Sequence, residues 1–499
     1  MSYNRSLGLI ATFVLCAASL CLAQDSTPTI VGDADTSAAG TNERAAAVQQ
    51  QDAAPIPANL IKAGVLAAKY DQFQFSEWEM PFPSVGDSLI GDTGGVREEL
   101  AKKKIGFLLF NPGQVTYDFR QSPMQDYKLP NGKWTPQIFN GQRPTGYGGS
   151  VLFFGYHPTS HVSFNLAGVN FNPTWNELSP RVGIRLTTAA IHVTALNNKI
   201  KIDAGYLMNE ATYYESYIAG NLAAGTLGQQ AVLPFVVGEN ASCFATPGVN
   251  LKVQVSDHLY ELVGVQRSLP PGGFNSNDDR DRGGTRFLMK GAKALMMEEF
   301  GYRQNSAPGA KSIFIRANGW YNMTPYNDMR SFASAAAGKM TSNNFAGSLA
   351  GDVQLRQQNP YLPFQGVYVG GTMQYAPPQQ NLYHAYFETR AYMIGTFKNR
   401  PTDMLVASVN HLDFSQSMLK TISTMQSYGY DILYNNSAYT QPLGSVPYYG
   451  DQTTVGVSYG VHVRPGLWLT PVIAYTKHPV AAPRLPSPLW GQVNATLFW

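Results

Sequence analysis

Over the closing stretch Gly491 to Trp499, apolar and polar positions alternate. Val493, Ala495, Leu497 and Trp499 share one parity; Gln492, Asn494 and Thr496 share the other, with Phe498 the one apolar exception. Side chains of a strand point to opposite sides with a period of two, so this pattern predicts a strand with one apolar and one polar face. Further back, Val455, Val457, Tyr459, Val461 and Val463 oppose Gly456, Ser458, Gly460, His462 and Arg464. After the turn Arg464-Pro465-Gly466, Leu467, Leu469, Ile473 and Tyr475 fall on one face. Pro471 lacks the N–H its strand needs, which predicts a local bulge. Similar segments of roughly ten residues run from about residue 105 to the end, the length and alternation of strands that cross a membrane as a barrel.

The connections sort into two classes. Counting back from Trp499, every second one is short: 465–466, 398–402, 359–363, 304–310, 256–258, 197–199 and 158–160. Those between are mostly long and polar: 477–489, 412–451, 324–345, 269–286, 209–248 and 116–146, with 377–382 and 171–180 shorter. The strands so delimited number about 16, and short turns on one rim with long loops on the other are the asymmetry of an outer-membrane barrel. A soluble β-sandwich has no reason to sort its loops this way. The expected fold is all-β: a transmembrane antiparallel barrel of about 16 strands with long extracellular loops. A short periplasmic helix is expected at 96–104, after the turn Asp92-Thr93-Gly94-Gly95.

Composition agrees. Charged residues make up 14% of the 499, against roughly 25% in soluble domains, and the mean hydropathy is −0.18. A net charge of +3 with no Lys/Arg block gives no footing for nucleic acid. Arg5, the apolar stretch Leu7 to Leu22 and Ala23 read as a secretory signal over 1–23. Residues 24–85 read as a flexible periplasmic leader and 86–499 as the barrel domain. Cys16 and Cys21 leave with the signal, so Cys243 is the lone cysteine expected in the mature chain and no intrachain disulfide is expected.

Catalytic and metal chemistry find little support. The histidines are scattered, no HExxH or Cys/His cluster occurs, and no cofactor fingerprint is present, so neither metal nor cofactor is expected. Gly456-Val457-Ser458-Tyr459-Gly460 matches G-x-S-x-G, but a nucleophile elbow needs a strand, a sharp turn and a helix. Here the alternation continues through Ser458.

What remains are charged and aromatic residues mid-strand, on the face opposite the apolar one. Arg181 and Arg185 oppose Val182, Ile184 and Leu186. Arg316 and Trp320 share a face with Phe314 and Asn318. Tyr386, Glu388, Arg390 and Tyr392 form one face against Ala385, Phe387, Ala391 and Met393. Asp352, Gln354 and Arg356 oppose Val353 and Leu355, and Glu299 sits beside Phe300. A charge facing lipid near the midplane costs up to about 2–4 kcal/mol, so these residues are expected inside. Either they form a general electrostatic lining, or Arg185, Glu299, Arg316, Trp320, Glu388 and Arg390 form a constriction that binds sugar hydroxyls and ring faces. Mixed charges with aromatics suit a neutral polyhydroxylated solute better than phosphate.

With these residues in view, the chain resembles the carbohydrate-selective porins of the OprB family. Gly91-Asp92-Thr93-Gly94-Gly95-Val96-Arg97, followed by Leu100 and Ile105, is similar to that family's opening motif, with Thr93 at its usual Trp. Ile202 to Leu207, Pro247-Gly248-Val249 through Gly264-Val265, Leu295 to Tyr302, Gly319-Trp320-Tyr321 and Arg400-Pro401-Thr402-Asp403 match further segments in order. The terminal residue is Trp499 where the family has Phe, and 412–451 diverges. The resemblance implies a 16-stranded outer-membrane channel passing monosaccharides and related small sugars by facilitated diffusion. Its partners would be small carbohydrates and outer-membrane lipid, with a trimer and a monomer both open. A general diffusion porin, an accessory channel for polysaccharide secretion and a barrel lipase are the competing expectations. Arg400 and Asp403 are expected to pair structurally at their turn.

Overall fold

The computed structural model describes residues 58–75, 84–120, 145–173, 183–213, 237–240, 244–271, 273–326, 328, 340–381, 383–417, 419–420, 432–433, 442–443, 449–479 and 487–499. The expected signal, residues 24–57 of the expected leader, Arg181, Val182 and all three cysteines lie outside them.

The strands are β1 (Ile105–Asp118), β2 (Thr145–Tyr156), β3 (Val162–Pro173), β4 (Gly183–Ala195), β5 (Ile200–Leu207), β6 (Thr246–Gln254), β7 (Leu259–Arg267), β8 (Ala294–Gln304) and β9 (Ile313–Asn322). There follow β10 (Asn344–Gln357), β11 (Gly366–Tyr375), β12 (Tyr383–Ile394), β13 (Met404–Phe414), the short β14 (Ile432–Leu433) and β15 (Pro442–Leu443), then β16 (Asp451–Arg464), β17 (Leu467–Lys477) and β18 (Leu489–Phe498). All but β14 and β15, which pair with each other, form one closed antiparallel barrel of 16 strands, sealed where β1 pairs β18. Each short turn falls within a few residues of its expected place, and Pro465–Gly466 joins β16 to β17 as anticipated. Gly466 sits at φ 73°, and a Cβ there would lie 2.3 Å from the Leu89 nitrogen.

Burial alternates as the sequence pattern requires. On β16, Val455 and Val457 are exposed while Thr454, Gly456 and Ser458 are buried. Phe498, the apolar exception, points inward and packs with Leu108 and Trp468 at the seam. No helix among the described residues is long and apolar enough to cross a membrane.

Two local expectations change. The register does not shift at Pro471. Instead β16–β17 pairing skips that level, where the missing N–H cannot bond, and the shift comes between His462 and Arg464. On β10 a bulge between Gln354 and Arg356 inserts Leu355 as an extra residue, which reverses the phase. Arg356 therefore lies opposite Val367, is exposed, and leaves the inward face on which alternation had placed it.

Ahead of the barrel, α1 (Ala58–Tyr70) and α2 (Val96–Lys102) cap the rim that carries the short turns. The reading of 24–85 as a flexible leader misses α1 and the strap after it. Tyr70 donates to the Asp92 carboxylate, and a Cβ on Gly86 would stand 2.1 Å from the Ala63 carbonyl oxygen. Asp92 in turn accepts from the Arg97 amide at 3.0 Å at the start of α2. Asp87 accepts from the Gly466 amide at 2.8 Å and from the Trp468 indole at 3.0 Å, and pairs with His462 at 2.8 Å.

Candidate functional site

Strand register brings the charged inward residues into one belt. Gly301, Arg316, Ala350, Thr372 and Glu388 are cross-strand partners in succession over β8 to β12. One level away, Glu299, Asn318, Ser348, Gln374 and Tyr386 do the same. The small residues Ala350, Thr372 and Gly370 leave room for the long side chains beside them.

Within the belt each charge has an opposite partner, two guanidiniums facing three carboxylates. Arg390 holds Asp352 bidentately, Nε to Oδ1 at 2.8 Å and Nη2 to Oδ2 at 2.6 Å, and its Nη1 donates to Glu388 at 2.6 Å. The Tyr386 hydroxyl donates to Glu388 at 2.5 Å, and Tyr368 and Tyr392 stack at 4.8 Å beside the group. Bidentate, charge-assisted bonds of this kind fix orientation as well as energy. On β8 and β9, Glu299 accepts from the Tyr260 hydroxyl at 2.5 Å and from the Asn318 amide, and pairs with Arg316 at 3.7 Å.

The described segments of two connections on the long-loop rim fold inward onto this belt. The connection after β5 begins with α3 (Asn209–Tyr213), whose Tyr213 carbonyl accepts from Asn318 at 2.6 Å while its hydroxyl donates to Asn250 at 3.2 Å. Further along, Glu239 accepts from the Trp320 indole at 2.9 Å, and the Val237 carbonyl from Asn322 at 2.6 Å. Burial, with Glu210 nearby, pushes the Glu239 carboxyl well above the usual carboxylate range, against the pull of the Trp320 bond. The loop after β7 carries α4 (Gly273–Arg280), whose Asp278 pairs with Arg185, while Arg267 reaches Asp281 at 3.5 Å. The Arg185 guanidinium also lies 4.4 Å from the Phe244 ring centroid.

All six expected site residues therefore face inward, five of them in the belt and Arg185 apart from it on β4. Each is buried, between 0% for Glu299 and 6% for Arg185. Most of their hydrogen-bonding groups are turned to neighbours, the Arg316 Nη2 being buried without a hydrogen-bond partner among the described residues; Asp352, with 12% of its side chain exposed, is the charged member closest to open space. Glu239, Asp278 and Tyr213 escaped sequence reasoning because they sit in long loops without periodicity. Tyr260 and Asn318 carried a signal in their strand parity.

The wall continuing from the belt is different. Glu388, Asn410, Thr454 and Thr476 succeed one another across β12, β13, β16 and β17, and Ser408 is the next inward residue beside Asn410 on β13. A neutral hydroxyl and amide row thus adjoins the charge-paired belt, flanked on the same inward faces by Val406 and Leu412 on β13 and by Val472 and Ala474 on β17. Ser458 sits on the uninterrupted strand β16, without the turn that a nucleophile elbow requires. Among the described residues no group of His, Cys, Asp and Glu is arranged to hold a metal ion.

The family model described as carbohydrate-selective porin, OprB family, matches residues 135–486. The chain belongs to that family. The high-pH structure of Pseudomonas putida OprB aligns with a TM-score of 0.63 at 15% identity, covering 85% of this chain and 99% of that one. Its low-pH structure aligns at 0.47 and 13%, covering 85% and 100%. A mutant of the Rh. blastica porin aligns at 0.40 and 7%, covering 79% and 100%. The first of these shows the shared porin fold. Among curated proteins, none matches the chain. As an OprB-family porin the protein is of a channel class rather than an enzyme class, and its barrel implies a bacterial outer membrane.

The motifs that carried the resemblance now have physical reasons. In the opening motif Arg97 is buried and donates to the carbonyls of Gly91, Phe107 and Trp499. Gly94 and Gly95 take φ of 78° and 69°, the left-handed turn ahead of α2. In the turn between β12 and β13, Arg400 pairs with Asp403 at 2.8 Å, and Asp403 also accepts from Tyr459 at 2.9 Å.

Proposed function

We propose that this porin passes monosaccharides and related small carbohydrates or polyols across the outer membrane of a Gram-negative bacterium by passive, facilitated diffusion. The observation that carries this reading is the pairing of opposite charges within the belt: Asp352, Arg390 and Glu388 form one group, and Glu299 with Arg316 another. A ring of unpaired Arg and Lys would favour anions, and a ring of acids would favour cations. Paired charges leave a wall of fixed dipoles without a strong net field, suited to a neutral solute rich in hydroxyls.

Asp352 and Ser348 on β10 keep accessible surface and offer acceptors and a donor to a passing solute, while the buried Thr372, Gln374, Ser408 and Asn410 set the polarity of the wall behind them. In this reading Glu299, Arg316, Trp320, Glu388 and Arg390 set the shape and polarity of the constriction from within the wall, and Arg185 anchors an inward loop.

Liposome swelling with a graded set of solutes tests the proposal. Pentoses, hexoses and hexitols should enter faster than charged solutes of equal size. Equal rates for neutral and charged solutes would show a general diffusion pore instead.

A further inference from the structure

The inward faces of β2 and β3 break the polar-inside rule of a porin. Val151 and Phe153 on β2, and Ala167, Val169 and Phe171 on β3, all point into the barrel, while Leu152, Phe154, Phe164 and Leu166 point out. Over these positions the two strands are apolar on both faces, while Ser163 and Asn165 keep the inward face of β3 polar nearer the short-turn rim; an apolar inner face of this kind calls for a cover.

The cover comes from both ends of the barrel. From the short-turn rim, residues 71–75 run inside the wall, and Phe75 packs among those five side chains, 5.0 Å ring to ring from Phe153. Phe244, from the inward-folded loop after β5, joins the same cluster.

A backbone saddle seats the strap. Gly106 and Gly155 are cross-strand partners on β1 and β2, and a Cβ on either would strike residues 73–74. On Gly106 it would stand 2.2 Å from the Phe73 carbonyl oxygen, and on Gly155 2.7 Å from the same atom. His157 holds the Gln74 carbonyl at 2.8 Å through Nε2 and meets the Phe73 ring edge-on. The two glycines clear the wall where the strap's main chain lies.

We infer that Phe75 and Phe244 form a two-sided aromatic septum that closes the β1–β4 side of the bore, and that this septum, with the belt, sets the size limit of the pore. Solute then passes along the remaining side, where inward residues keep accessible surface: Ser348 and Asp352 on β10, Gln492 and Asn494 on β18. The N-terminal strap is thus a pore-forming element as well as a rim contact. The inference rests on the channel reading but is independent of sugar preference.

Single-channel conductance in salt alone, without sugar, tests it on the full chain with Gly106→Ala and Phe75→Ala. Chymotrypsin cleavage after Phe73 reports whether the strap has left the wall, and heat-modifiable mobility reports barrel assembly. Wild type should resist cleavage at Phe73. Both variants should become cleavable, show conductance raised about twofold as the open cross-section grows, and admit larger sugars. Conductance and size limit unchanged after the strap is released, or a strap equally cleavable in wild type, would overturn the septum. So would a Gly106→Ala protein whose strap stays protected. A wild-type protein carrying no current at all would remove the channel reading itself, an outcome distinct from conduction that ignores the strap.

Discussion

The guanidinium of Arg97 donates to the main-chain oxygen of Trp499 at 2.8 Å, joining residues 402 positions apart in the chain. The same side chain donates to Phe107 on β1 at 2.6 Å, so one buried cation holds both strands of the seam that closes the barrel. Leu89 adds a main-chain bond to Phe498 at 2.8 Å beside it.

Replacing Arg97 by Ala should lower barrel stability by about 2–4 kcal/mol, since it removes three charge-assisted donors and leaves buried carbonyls without partners. Lys at this position supplies a point charge instead of a planar fork and should recover only part of the loss. Urea titration in detergent, followed by heat-modifiable mobility, measures the effect. An Arg97→Ala midpoint equal to that of wild type would show that the seam does not depend on this residue.

Arg390 and Arg316 should differ in what their removal does. Arg390 is 1% exposed and faces two carboxylates, so Arg390→Ala takes the bidentate partner from Asp352, leaves Glu388 with the Tyr386 hydroxyl but no counter-charge, and should cost about 3–5 kcal/mol. Arg316 faces Glu299 at 3.7 Å, and Glu299 retains Tyr260 and Asn318, so Arg316→Ala should cost less and leave assembly intact. Comparable losses for the two variants in the same urea titration would contradict this division.

Docking of the loop after β5 should weaken as pH rises. The raised pKa of Glu239 means that the docked state binds its proton more tightly than the undocked one. Its contribution is therefore complete below the ordinary carboxylate range and is lost as pH climbs through the docked-state value. Glu239→Gln keeps an acceptor for the Trp320 indole and removes the titration. Protease sensitivity of the loop should increase with pH in wild type and stay flat in the variant. A matching pH dependence in both would assign the effect to another group.

How far the sequence told the fold follows from which signals are local. Strand alternation and the rhythm of short and long connections are written within ten residues or so of each element, and they located each strand of the barrel to within a few positions. The failures at Arg356 and Pro471 are also local: a bulge changes parity without leaving a residue that marks it, and a proline can be met by skipped pairing as well as by a bulge. The inward parity of Glu299, Arg316, Trp320, Glu388 and Arg390 was legible. Their burial was not, because Tyr213 and Glu239, which cover part of the belt, come from loops where composition carries no register. Phe75 hid for a similar reason: its partners Val151 and Val169 lie beyond the first long loop, and only their unexpected apolar parity hinted that something must cover them.

Planar-bilayer recording puts the channel itself to the test: the purified protein is inserted, ion current is measured, and glucose, then a charged solute of similar size, is titrated in. A closed barrel with a charge-paired belt should give a steady passive current that glucose reduces in a saturable way and the charged solute does not. A current indifferent to glucose across the millimolar range, or equally sensitive to both solutes, would contradict a binding path for neutral carbohydrates.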